Sequence, residues 1–194
     1  MATAKKKPAA AKKKPAAAKK RELPKVLPPG PIPFDIAPHF ARVRAAIDEL
    51  VAALRRRGVP VKLGAPASVE AILAAEKARG ISLPNDYRAL LTLHDGMILL
   101  DRTFFGTRDY LDDTMLTLRA REFLQSAVEH GLPGIEDCIP LANWGLPSDW
   151  LLYDPHGEVR GGAPGPIVTR RAGATVMKDI CDALAHLAKS ARRD

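Results

Sequence analysis

The sequence predicts an α+β protein, a mostly antiparallel sheet with flanking helices, preceded by a disordered basic tail. Three observations lead there. Apolar residues recur at helical spacing over residues 35–57 and again towards the C-terminus, which marks amphipathic helices. Between them lie short runs rich in β-branched, aromatic and aliphatic residues, bounded by Gly, Pro and Asp, which read as strands. Helices, then strands, then helices suit α+β better than an alternating α/β order. The third observation is charge. Residues 1–25 hold ten basic side chains and one acid, a net +9, while the other 169 residues carry 20 basic and 21 acidic groups, a net −1.

The tail is a repeat. Ala4-Lys5-Lys6-Lys7-Pro8-Ala9-Ala10 recurs as Ala11-Lys12-Lys13-Lys14-Pro15-Ala16-Ala17, and a third copy opens at Ala18-Lys19-Lys20-Arg21. Like charges in blocks repel, and nothing apolar offsets the entropy of ordering, so disorder is expected. Prolines 24, 28, 29, 31, 33 and 38 favour an extended spacer leading into the body. The division expected is therefore 1–33 as tail and linker and 34–194 as one globular domain. The clusters resemble the tails of linker histones, and the chemistry is that of phosphate neutralisation with counterion release. Lys5, Lys6, Lys7, Lys12, Lys13, Lys14, Lys19, Lys20 and Arg21 are the candidate nucleic-acid contacts, non-specific because no aromatic precedes Phe34 to stack on bases.

Along the body, a first helix is expected from Asp35, as its cap, to Arg57, with Ile36, Phe40, Val43, Ile47, Leu50 and Leu54 as its stripe. Ser68 caps a second helix with Val69, Ile72 and Leu73 inward, ending at Arg79-Gly80. Pro84 opens a third, which buries Tyr87, Leu90 and Leu91. Residues 97–100 and 103–105 read as strands, and 119–130 as a helix with Phe123, Leu124, Ala127 and Val128 on one face. Residues 138–142, 149–153 and 166–169 are further strand candidates. Asp154-Pro155-His156-Gly157 is a turn, and Val176, Ile180, Leu184 and Leu187 line a last helix.

The segment Ser68 to Gly106 contains Leu83-Pro84-x-x-Tyr87, then Leu90-Leu91, the turn Asp95-Gly96, and a strand closing on Gly106. Ile139-Pro140-Leu141-Ala142-Asn143-Trp144-Gly145 and Asp149-Trp150-Leu151-Leu152-Tyr153-Asp154 follow. Over residues 68–190 this resembles the SUKH superfamily, which joins fungal cell-wall-synthesis regulators to bacterial immunity proteins. Leu83, Pro84, Tyr87, Asp95, Gly96 and Gly106 match its structural motif, while Met97 stands where members often carry a second glycine or a polar residue. The helix at 35–57 and the tail lie outside the pattern. The resemblance implies a non-enzymatic binding domain whose partner is a cognate protein, in bacteria a toxin such as a nuclease, neutralised by occlusion.

The residues themselves offer little catalysis. The five histidines lack metal-ligand spacing, Gly161 to Gly165 lacks the ending of a phosphate loop, and no Gly-x-Ser-x-Gly elbow occurs. His94-Asp95 reads as a polar helix end, and Cys138 and Cys181 as unpaired thiols in a reducing compartment. No cofactor and no metal are expected. Asp109, Tyr110, Asp112 and Asp113 read as a solvated acidic loop, alternatively a Mg²⁺ ligand set or a partner-facing patch. With Trp144, Asp149 and Trp150 they form the candidate partner surface, the tryptophans as anchors if exposed and as core otherwise. A soluble, cytoplasmic protein is expected, nucleoid-associated if the tail holds DNA. The leading function is toxin neutralisation, and the alternative is a DNA-tethered regulator.

Overall fold

The computed structural model describes residues 31–170 and 173–193. The lysine and arginine candidates of the tail lie outside the described residues. Seven strands form one antiparallel sheet in chain order: β1 (Val61–Leu63), β2 (Met97–Leu99), β3 (Arg102–Phe104), β4 (Ile139–Asn143), β5 (Trp150–Asp154), β6 (Gly165–Arg170) and β7 (Gly173–Val176). The helices are α1 (Ala37–Arg56), α2 (Val69–Arg79), α3 (Asn85–Leu93), α4 (Thr107–Leu111), α5 (Met115–Glu129) and α6 (Ile180–Arg193).

Helix α1 buries Val43, Ile47, Leu50 and Leu54, four of the six stripe positions. It packs chiefly on α6 and α3. Its start differs from expectation: Ile36 is the N-cap and no side chain caps it, while the Asp35 N–H donates to Asn85 Oδ1 at 3.2 Å. Ser68 does cap α2, accepting from the Ala71 N–H at 3.2 Å. That helix turns a different face inward, however. Val69 and Leu73 are exposed, and Ile72, Ala75 and the carboxylate-bearing Glu76 are buried. The reason is an ion pair: Glu76 Oε1 and Oε2 accept from Arg88 Nε at 2.9 Å and Nη2 at 3.1 Å, with both side chains inside.

Arg88 also ties down the chain that enters the body. Its Nη1 donates to the carbonyls of Ile32 at 3.0 Å and Pro33 at 3.1 Å, and its guanidinium stands 5.1 Å over the Phe34 ring. Two residues earlier in α3, Asp86 Oδ2 accepts from the Ile180 N–H at 2.8 Å, so a buried carboxylate sits at the start of α6. Desolvation raises the pKa of Asp86, and the hydrogen bonds from the Ile180 and Tyr87 N–H groups oppose it.

Helix α4 and strands β1 and β7 lie where no element was expected. β1 is a three-residue edge strand, and β7 takes Val176 out of the last helix and leaves it exposed. α5 begins at Met115 rather than Arg119, because Thr114 caps it by accepting from the Thr117 N–H. Its Val128 is exposed, and Thr117, Ala120 and Ala127 are the buried positions. The 154–157 turn is as expected, closed by Asp154 Oδ1, which accepts from the His156 and Gly157 N–H groups.

Candidate partner-binding surface

The Leu83–Gly106 motif is a knot of backbone contacts. Pro84 is extended just ahead of α3, and the buried Leu83 donates its N–H to Glu76 Oε1 at 2.6 Å. One turn on, the buried Tyr87 hydroxyl lies 2.8 Å from the Phe105 carbonyl and 2.6 Å from that of Leu141 and donates its one proton between them. Leu141 is the residue that β4 leaves out of its pairing with β5, where the register shifts between Pro140 and Ala142. The bulge turns this carbonyl towards Tyr87 and the Phe105 N–H.

At the far end of α3, Asp95 accepts from the Thr107 N–H at 2.5 Å and from the Thr107 hydroxyl at 2.7 Å. Gly96 has φ +83°, and a Cβ on Gly106 would stand 2.9 Å from Asp95 Oδ1. A Cβ on Gly64 would meet the Asp95 carbonyl at 2.1 Å, which makes a third glycine necessary at this crossing. His94 Nδ1 lies 3.2 Å from the Gly64 carbonyl. These residues hold α3, β1 and the β3–α4 corner together.

The acidic segment 109–113 is loop only at Asp112 and Asp113. Asp109 to Leu111 belong to α4, which Asp109 closes by accepting from the Gly106 N–H at 2.9 Å with Oδ2, while Oδ1 accepts from the Thr114 hydroxyl at 2.7 Å. Tyr110 is buried and donates its hydroxyl to the Pro140 carbonyl at 2.7 Å. Burial pushes its pKa well above the usual phenol range. Asp112 is exposed and lies 3.4 Å from Arg108. Asp113 is exposed between Arg79 at 3.1 Å and Arg121 at 2.8 Å, and the Arg79 hydrogen bond is the largest cause holding its pKa below the usual carboxylate value. With Arg79, Arg108 and Arg121 interleaved, this surface is charge-balanced rather than acidic. Asp109 spends its oxygens on the fold, and among the described residues no group of three His, Cys, Asp or Glu is placed to hold a metal.

The tryptophans are core. Trp150 is fully buried, stacked 5.9 Å from Phe123 and edge-on to Phe105 at 6.4 Å, and donates its indole N–H to the Pro147 carbonyl at 2.9 Å. Trp144 is buried edge-on to Phe104 at 6.1 Å, its backbone N–H on the Asp149 carbonyl. Asp149 is half-buried, and its side chain accepts from the Ser148 hydroxyl. Both rings flank the short β4–β5 connection, so strand pairing folds them in. Of the seven candidate residues, Asp112 and Asp113 are the exposed ones. Cys138 is buried and Cys181 half-buried, and desolvation raises the pKa of both thiols.

The exposed apolar residues lie elsewhere. Ile98 is 44 % exposed and Met115 is 66 % exposed, and with Leu116 they line an open depression of about 520 Å³ whose edge carries Lys62 and Arg108. Leu100 and Leu111 are exposed as well. The signal for Ile98 was present in the sequence as strand alternation: it stands between buried Met97 and Leu99. Met115 escapes the sequence pattern because the apolar periodicity places the start of this helix at Arg119.

A single seven-stranded antiparallel sheet with flanking helices defines an α+β domain. The model of the SMI1 / KNR4 family (SUKH-1) matches residues 66–176, more than half of the chain, and the chain belongs to that family. No curated protein matches it. Helices α1 and α6 lie outside the matched segment and pack on one another. Among the described residues, no helix is long and apolar enough to cross a membrane.

Proposed function

We propose that this protein is a non-enzymatic binding module that acts as an immunity protein, neutralising a cognate toxin by occluding it. Family membership supports a protein-binding role. The observation that carries the reading is the Ile98–Met115 depression: exposed aliphatic and thioether side chains surrounded by charge have the anatomy of a protein interface. Met fits variable partner surfaces because it is unbranched and polarizable. Lys62 and Arg108 give the depression a polar rim, and Arg108 pairs with Asp112.

The test is co-expression with a toxin encoded beside this chain, in wild type and an Ile98→Glu/Met115→Glu variant. Wild type restores growth and co-purifies one to one. The variant keeps its thermal transition and binds at least about 30-fold more weakly, as loss of a central anchor worth ~2 kcal/mol requires. Equal binding by both proteins would remove this face from the interface.

A second reading rests on the net +9 of residues 1–25. The chain then acts as a nucleoid-associated or DNA-tethered regulator through its lysine clusters, and the two readings combine if the toxin is a nuclease. Full engagement on duplex DNA gives a log K against log salt slope of about −8. A flat salt dependence, or DNA binding that survives deletion of residues 1–25, rejects it.

A further inference from the structure

The seven-stranded sheet has two edges, β1 and β7, and the fold treats them differently. β1 is three residues long, carries the exposed Lys62 at its centre, lies between Pro60 and Pro66, and packs against α1. Short length, charge and proline are devices that keep an edge from pairing with another chain. β7 has no charge, no proline and no bulge. Gly173, Ala174, Thr175 and Val176 are all exposed and run in unbroken register with β6. β6 itself is buried from Gly165 to Thr169, so the cover ends one strand short of this edge.

Register fixes which backbone groups of β7 point outward. The Met177 N–H donates to the Pro166 carbonyl at 3.0 Å, which continues the β6–β7 ladder by one rung. In an antiparallel pair, hydrogen-bonded and non-hydrogen-bonded positions alternate. Counting back from Met177, Thr175 exchanges hydrogen bonds with Val168, whereas Val176 opposite Ile167 and Ala174 opposite Thr169 do not. The N–H and carbonyl groups of Ala174 and Val176 therefore aim at the open edge, and no other group among the described residues bonds them. Their side chains share the face of Ile167, which is fully buried while Val176 beside it is 50 % exposed. Thr175 stands on the opposite face.

We infer that β7 pairs antiparallel with β7 of a second copy of this chain, about a two-fold axis at Thr175. Ala174 then faces the partner's Val176, Val176 faces the partner's Ala174, and each pair exchanges two hydrogen bonds. Every outward group of both residues is satisfied. On one face each Val176 side chain covers the small Ala174 opposite it. On the other face the two Thr175 hydroxyls meet in a non-hydrogen-bonded pair, the closer kind. The strand is thus its own complement, as a two-fold contact requires, and no like charges meet across the axis. Four residues a side fall well short of the roughly 20–30 a side of a standard interface, so the dimer is weak, with a Kd around 100 µM. The inference uses neither the Ile98–Met115 depression nor the lysine repeats, and it stands or falls apart from both readings of function.

The experiment uses the full chain carrying Cys181→Ser, which leaves the buried Cys138 as its native thiol. Thr175→Cys is added and the protein is oxidised at about 100 µM in about 0.15 M salt, where repulsion between the basic N-terminal segments is screened. In the paired dimer the two Cα atoms at this position lie about 4.5 Å apart, within disulfide reach, so a covalent dimer forms. Ala174→Cys and Val176→Cys put their thiols two residues out of register with one another and crosslink at least severalfold more slowly. In sedimentation of the wild-type chain, monomer at about 5 µM gives way to dimer at about 500 µM. Ala174→Pro removes an outward N–H that the β6 ladder does not use, so it keeps the thermal transition and loses the dimer. Crosslinking no faster at Thr175→Cys than at the other two positions overturns the proposal. A dimer that survives Ala174→Pro with its transition intact overturns it as well.

Discussion

Two sets of ion pairs separate the inside of this protein from its surface. Glu76 and Arg88 have side chains 7 % and 2 % exposed, and each is hydrogen-bonded to backbone besides its partner. Asp113 lies between Arg79 and Arg121, and its side chain is 57 % exposed. The buried pair links α2, α3 and the entering chain, so its charge is committed to the fold. The exposed set sits in water, where screening and side-chain entropy consume most of the attraction. The same pairing of carboxylate with guanidinium thus does unlike work, and accessibility decides which.

Breaking the buried pair has the largest effect. Arg88→Ala leaves Glu76 charged and unpaired inside and costs about 3–5 kcal/mol in urea titrations. Replacing both partners, Glu76→Leu/Arg88→Met, removes the stranded charge and recovers much of that loss. What remains measures the contacts of Arg88 with Ile32, Pro33 and Asn85. A double variant as unstable as Arg88→Ala would place the energy in those contacts instead.

Tyr87→Phe comes next. The ring still fills its place, but the Phe105 carbonyl loses its hydroxyl donor, whereas Leu141 retains the Phe105 N–H. One buried acceptor left short costs about 1–3 kcal/mol. A neutral result would mean that water reaches the corner and that Tyr87 acts by packing alone.

The sequence made the local features legible and left non-local ones hidden. The Ser68 cap, the α1 stripe and the Leu-Pro-x-x-Tyr opening of α3 each depend on residues within a few positions, and each is found in place. α2 misled because an apolar-stripe reading cannot favour a buried glutamate, and Glu76 is buried by an arginine 12 residues away. Val176 stands four residues before Ile180, which mimics helical spacing, yet it pairs with Ile167 in an edge strand. Three-residue β1 has no periodicity to read. The candidate surface suffered most, since tryptophan and aspartate are equally at home in core and interface. Only the pairing of β4 with β5 and the cap at Asp109 decide between those roles.

The smallest effects carry opposite signs with pH, and they sharpen the same contrast. Burial raises the pKa of Asp86, with His39 and Asp179 nearby as a favourable and an unfavourable charge, so the folded state prefers it protonated. Its stabilising contribution is therefore complete below the ordinary carboxylate range and is lost as pH rises through the raised folded value. Asp113 is the reverse. Arg79 and Arg121 lower its folded pKa, so its contribution is present above the ordinary carboxylate range and disappears as pH falls through the lowered value. Urea midpoints of wild type, Asp86→Asn and Asp113→Asn over about pH 3 to 6 read both. Relative to wild type, Asp86→Asn gains stability as pH rises, apart from a constant offset for the altered cap on Ile180. Asp113→Asn approaches wild type as pH falls, and its exposure keeps the difference close to the error of the measurement. Parallel curves for Asp86→Asn would show that the carboxylate is solvated in the folded state, and the buried start of α6 would then have to be open to water.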